Sequence, residues 1–156
     1  MPSIDDVLAN EDPTTFAIAL SDLVFARYDR DGFESLTPPE RVAYCVDALE
    51  REVNNGGFEQ FFTNNSGDTS AETVAALRKI GAIQAANLVQ SAMELFPNGS
   101  LPRDREERVD VVGAMSDAHR SKWHELDDRF CSYPDDLTRL MRAFVNAHRA
   151  GFRAWP

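Results

Sequence analysis

A chain of 156 residues with 43% apolar and 27% charged side chains has the length and composition of one globular domain. A domain of this size buries roughly two-thirds of its unfolded surface and needs no disulfide or metal staple. The formal net charge of −10 argues against nucleic acid or an anionic membrane as a direct partner. Asp5 and Asp6 stand where a signal peptide carries bases, and no run of about 18 apolar residues exists to span a bilayer, so a cytoplasmic protein is expected.

The whole chain, 1–156, is expected to form one helical domain, with residues 1–12 as a loosely ordered arm. From Pro13 to Tyr28, Phe16, Ile18, Leu20, Leu23, Val24 and Phe25 have Asp22 as the only acid among them, which predicts the most buried helix. The following Asp29-Arg30-Asp31-Gly32 is read as a solvated turn. In a calcium-loop register Arg27 would be the first ligand and Pro38 the twelfth, and neither can serve. Thr37-Pro-Pro-Glu40 is a capping box that launches a helix to about Asn54. On it Val42, Cys45, Val46, Leu49 and Val53 form an apolar stripe, with Glu40, Asp47, Glu50 and Arg51 on the opposite side.

Gly56 and Gly57 then close that helix, and Phe58, Phe61 and Phe62 drive a short apolar helix into the core until Gly67 ends it. Thr69-Ser-Ala-Glu72 reads as a second capping box. It opens two consecutive helices, or one bent at Gly81, through Val74, Leu77, Ile80, Ile83, Val89, Met93 and Phe96. Trp123, Leu126 and Phe130 mark a further helix, and Leu137, Leu140, Met141, Phe144, Val145 and Phe152 another. Gly32, Gly56, Gly57, Gly67 and Gly99 occupy positions that left-handed caps favour. No stretch alternates apolar and polar residues, and no long repeat is visible. The fold class is therefore all-α, a compact single-domain bundle of about seven or eight short helices with no sheet.

Few residues suggest chemistry. Cys45 and Cys131 lie in apolar helical patterns and read as small buried hydrophobes. His119 and His124 are five apart and do not share a helix face, His124 and Asp128 read as a polar surface pair, and His148 as a hydrogen-bonded, partly buried side chain. Neither a GxSxG elbow, a phosphate loop, GxGxxG nor CxxC occurs. No cofactor and no metal site is expected, and the reading leans against an enzyme.

The most distinctive run is Glu52-Val-Asn-Asn-Gly-Gly-Phe-Glu-Gln-Phe-Phe-Thr-Asn-Asn-Ser-Gly67, followed by Ala76-Leu77, Ile80-Gly81-Ala82 and Phe96-Pro97. Physically, Asn55, Gln60 and Asn64 are placed to satisfy backbone groups at tight turns. The run resembles the DNA mimic protein family over roughly residues 15–152, with Asn55, Gly56, Gly57, Phe58, Gln60, Phe61, Asn64, Gly67 and Ile80-Gly81-Ala82 as the most specific matches. Phe61 stands where an aromatic, often Tyr, is usual. The resemblance implies an all-helical dimer whose namesake presents carboxylates in place of phosphates to a DNA-binding protein. The matching residues are a folding signature, while mimicry depends on surface acids outside it.

Those acids are unevenly placed. Residues 1–72 hold 15 acids and 4 bases, against 11 acids and 12 bases in residues 73–156. The expected function is a non-enzymatic acidic binding protein that occupies the basic surface of a DNA-binding protein through Asp29, Asp31, Glu34, Glu40, Asp47 and Glu50. Duplex DNA carries about 15 charges over about 25 Å, so mimicry by this chain would be sparse. Two alternatives remain open. One is an immunity-like or antitoxin-like partner of a toxin domain; the other is an enzyme with a polar pocket near Asn55–Gly57, using Glu52, Asn55, Gln60 and Asn64.

Overall fold

A computed structural model describes residues 1–154 as eight α-helices with no strand among the described residues. They are α1 (Ile4–Leu8), α2 (Pro13–Asp31), α3 (Pro38–Thr63), α4 (Ser70–Lys79), α5 (Ile83–Glu94), α6 (Arg105–Gly113), α7 (Asp117–Cys131) and α8 (Leu137–Ala147). Tight 3-10 turns at Phe33–Ser35, Asn65–Thr69, Pro97–Gly99 and Arg149–Gly151 link or follow them. The all-α single domain expected from the sequence is the fold. No helix among the described residues is long and apolar enough to cross a membrane.

Side-chain caps explain most of the helix starts. Asp12, Thr37, Asp104, Ser116 and Asp136 each accept the backbone N–H three residues on, supplying an acceptor that a first helical turn lacks. In the Thr37 box, Glu40 also returns a bond to the Thr37 N–H. The Thr69 box does not form. There α4 grows directly out of the 3-10 turn, the Thr69 hydroxyl donates to the Ser66 carbonyl, and Glu72 turns to Arg103 at 3.1 Å. The loosely ordered arm expected at residues 1–12 is instead folded. A Ser3–Asp6 capping box starts α1, and Val7 inserts into the core with 0% exposure.

The centre of the domain is α3, which packs against α2, α4, α6 and α7. Its buried face is far wider than one stripe, because Ala43, Tyr44 and Ala48 are buried beside Val42, Cys45, Val46, Leu49 and Val53. Burial is therefore greatest in α3 and not in α2, whose Ile18 is 57% exposed. Gly81, with φ of 86°, separates α4 from α5 as two helices. Cys45 is buried as expected, whereas Cys131 is exposed at the end of α7. The His148 ring bonds the Phe144 carbonyl and stacks on the Phe144 ring, but it lies exposed at the surface.

Within α3 the helical path breaks where the paired glycines predict, at Gly56 (φ −152°, ψ 19°) and Gly57 (φ 74°, ψ −173°). Beyond the break, Phe58, Phe61 and Phe62 are all 0% exposed. Phe58 stacks on Phe62 and meets Phe130 edge-to-face, Phe62 meets Phe61 and Phe96 edge-to-face and Trp123 at a tilt, and the Trp123 indole N–H donates to the Ala92 carbonyl at 3.0 Å. Of the five glycines expected in left-handed caps, Gly32, Gly57 and Gly99 have positive φ, while Gly56 and Gly67 do not.

Candidate functional site

Two polar regions flank α3, and they are built differently. The first clasps its two arms together across the break. Glu52 Oε2 accepts the Gln60 amide at 2.6 Å and the Asn64 amide at 2.9 Å, and Gln60 Oε1 accepts from Asn55 at 3.1 Å. Glu52 belongs to the arm before the break and its partners to the arm after it, so these bonds hold the bend. Opposite them, Asp127 of α7 accepts the Phe58 N–H at 2.7 Å and caps the second arm. Burial pushes the Asp127 carboxyl up, against the effect of that hydrogen bond. Gly57 lies directly on the same carboxylate, since a Cβ there would stand 2.3 Å from Asp127 Oδ2.

Arg108 of α6 completes the clasp from beneath. Its side chain is 0% exposed, and it donates to the carbonyls of Phe62 (2.7 Å), Asn64 (3.2 Å), Pro102 (3.3 Å) and Arg103, and to the Asp68 carboxylate. This guanidinium explains Gly67. A Cβ at residue 67 would lie 2.7 Å from the Phe62 carbonyl and 2.8 Å from Arg108 Nε, so glycine is required for close approach and not for a left-handed φ. Sequence reading missed Arg108. It sits among Glu106, Glu107 and Asp110 on a polar-looking helix, and most of its acceptors are backbone groups.

The expected site acids do not form one cluster. Asp29 and Asp31 are exposed near the end of α2, and Glu34 is exposed in the turn that follows. Arg30 pairs with Asp31 at 2.5 Å and holds its carboxyl low, and Arg41 pairs with Glu34 at 3.1 Å. Glu40 is 3% exposed and contradicts its placement on a binding surface. It is held by Arg27 at 2.8 Å, by Arg153 at 3.0 Å and by the Thr37 N–H, an internal anchor between α2, α3 and the chain end. Burial acts to raise its carboxyl, but these hydrogen bonds and charges together bring it below the ordinary value.

Asp47 and Glu50 are half-buried in the groove between α2, α3 and α8. Asp47 accepts from the Ser21 hydroxyl at 2.9 Å and lies 3.7 Å from Arg51, with burial pushing its carboxyl up. Glu50 accepts from the Tyr133 hydroxyl at 3.1 Å, and burial pushes its carboxyl up to about 7. Tyr133 in turn accepts the Asn54 amide at 2.7 Å from a backbone with φ of 51°, in the left-handed region that a bulky residue rarely enters. The DMP19-like protein family matches residues 34–148. This chain belongs to that family. No curated protein and no solved structure matches it.

The clasp lies wholly within the span of the family match, and the groove only in part. In this DMP19-like chain residues 34–148 contain the whole Glu52–Gly67 clasp, Asp127 and Arg108, whereas α1 and α2 lie entirely outside it. Asp29 and Asp31 are thus outside the family's shared span, while Glu34, Glu40, Asp47 and Glu50 fall within it. The polar motif residues bond chiefly to one another. Glu52, the only carboxylate of the enzyme alternative, has one oxygen committed to two amide donors. A cleft of about 340 Å³ does run beside it, past Tyr28, Tyr44, Arg51, Asn65 and Arg105.

Proposed function

We propose that this DMP19-like chain is an acidic binding protein that occupies the basic surface of a DNA-binding protein, presenting carboxylates where that protein expects phosphates. The supporting observation is how the bases of its first 72 residues are used. Each of the four stands beside an acid: Arg27 with Glu40, Arg30 with Asp31, Arg41 with Glu34 and Arg51 with Asp47. Asp6, Glu11, Asp12, Asp22 and Asp29 are exposed and outside any ion pair among the described residues. The exposed acids of this segment without an ion pair are thus on α1, α2 and the turn between them. Asp22 and Asp29 share one face of α2, two turns apart.

Such a surface is far sparser than a duplex, with its one charge per about 1.7 Å of axis. It suits a partner whose DNA site relies on a few lysines or arginines. The immobilised full chain, incubated with lysate at low ionic strength, should retain a protein that binds nucleic acid, that elutes as salt is raised, and that is displaced by duplex DNA. Retention of proteins with no affinity for DNA, or retention indifferent to added duplex, would overturn the reading.

A further inference from the structure

The groove between α2, α3 and α8 has a feature that surface acidity does not explain. An apolar cavity of about 30 Å³ is walled by Phe16, Leu20, Val24, Val46, Leu137 and Met141. Asp47 and Glu50 also line it. A shallower cleft of about 300 Å³ opens beside it, sharing Ala17, Ser21 and Asp47 and lined also by the exposed Ile18, Asp22 and Arg51. Asp47 has its cation in Arg51, which also bonds Ser21 and lies over the Phe25 ring at 4.1 Å. Glu50 has none among the described residues. It has one hydroxyl donor, an apolar wall and the like charge of Asp47 close by.

A half-buried carboxylate beside apolar surface, without a counter-ion, has the chemistry that an alkyl cation completes. The cavity itself is water-sized, so the methylenes of such a group lie along Ala17 and the exposed Ile18 in the larger cleft while its charged head meets the carboxylates. We propose that this groove receives one lysine or arginine side chain from the basic partner. The inference rests on the proposed function for the partner's basic character, and it names a point of attachment within that contact. The groups facing Glu50 are Asp47 on its own helix and Tyr133 after α7, with Asn54 and the Cys131 thiol next to the Tyr133 hydroxyl. From α8 the lining is Leu137, Thr138 and Met141, and from α2 the nearest acid is Asp22, which acts on Asp47.

A bound cation favours the ionised form of Glu50, so binding releases a proton when the pH is near or below the carboxyl's value of about 7. Affinity should then rise about tenfold from pH 6 to pH 8 and level off above that. Ordinary surface carboxylates are fully ionised across this window and give no such slope. The test is an NMR titration of the full chain with the N-acetyl methylamide of lysine, with its arginine analogue, and with the norleucine analogue, which keeps the stem without the charge. We expect both cations to shift signals of Ser21, Asp47, Glu50 and Thr138, about tenfold more tightly at pH 8 than at pH 6. Norleucine should leave those signals unmoved, and Glu50→Gln should abolish the pH slope. Equal binding by norleucine, shifts confined to Asp22 and Asp29, or a flat pH profile in the unaltered protein would overturn the proposal. Capture of a DNA-binding protein is a separate readout: the groove can bind the cations while that capture fails, and capture can succeed through the exposed acids while the groove stays empty.

Discussion

Glu50 and Glu52 stand two residues apart on α3 and face opposite circumstances. Glu52 looks across the helix break into two amide donors and stitches the arms of α3 together. Glu50 looks into an apolar wall, takes a single hydroxyl donor and lies in the field of Asp47. The first environment is closed, since the clasp supplies its own acceptors and donors. The second is incomplete. The comparison teaches that the most recognisable residues of this family signature make the fold, and that function is better sought where polar groups lack partners.

The clasp breaks most severely at its buried cation. Arg108→Met keeps much of the side-chain volume but strands the carbonyls of Phe62, Asn64, Pro102 and Arg103. We expect a loss of about 3–5 kcal/mol, which urea denaturation measures directly. A loss under about 1 kcal/mol would mean that the clasp does not depend on Arg108. Next in size is Gly57→Ala, at about 2–3 kcal/mol, because it combines a positive φ with a Cβ set 2.3 Å from the Asp127 carboxylate. In an Asp127→Ala background only the backbone strain remains. The same substitution should then cost about 1 kcal/mol, and the double-mutant cycle isolates the contact.

Glu50→Gln probes the other region and has the opposite sign. A carboxyl raised by burial favours the fold in its protonated form, fully below its ordinary value of 4.5, and that contribution is lost as pH rises through about 7. Gln preserves the amide-sized shape and an acceptor for Tyr133, and it carries no charge. The variant should match the unaltered protein below pH 4.5 and exceed it by about 1–2 kcal/mol at pH 8, after discounting for the solvent that reaches the groove. Thermal melts at the two pH values read the difference. Equal shifts at both would remove the claim that Glu50 is a strained charge. Gln60→Ala, by contrast, takes one of two donors from Glu52 and should cost about 1 kcal/mol.

What could be read from the chain follows the range of the interactions. The Thr37 box and the glycine break in α3 are visible because each is decided within a few residues of sequence. Glu40 was misplaced because helical periodicity describes only its own helix, whereas its partners Arg27 and Arg153 lie 13 and 113 residues away. Arg108 was invisible for a related reason. Four of its five acceptors are main-chain carbonyls, and a carbonyl carries no residue type to be recognised. The Thr69 box shows the reverse error. Its letters fit the pattern, but the chain arrives from a 3-10 turn, and Glu72 has a better partner in Arg103.

The smallest expected effect on stability falls on the acids that matter most to the proposed function. Asp22 and Asp29 are exposed, form no ion pair among the described residues and cap no helix. Replacing both with Asn should change unfolding free energy by less than about 0.5 kcal/mol. Removing two uncompensated charges from one face of α2 should nevertheless weaken capture of the basic partner, most at low salt where screening is least. The pairing of the two readouts decides the point, because clasp variants lose binding only as they lose the fold. A double variant that remains fully folded and binds the partner as before, at every ionic strength, would move the interaction away from α2 and leave the Asp47–Glu50 groove as the surface to test.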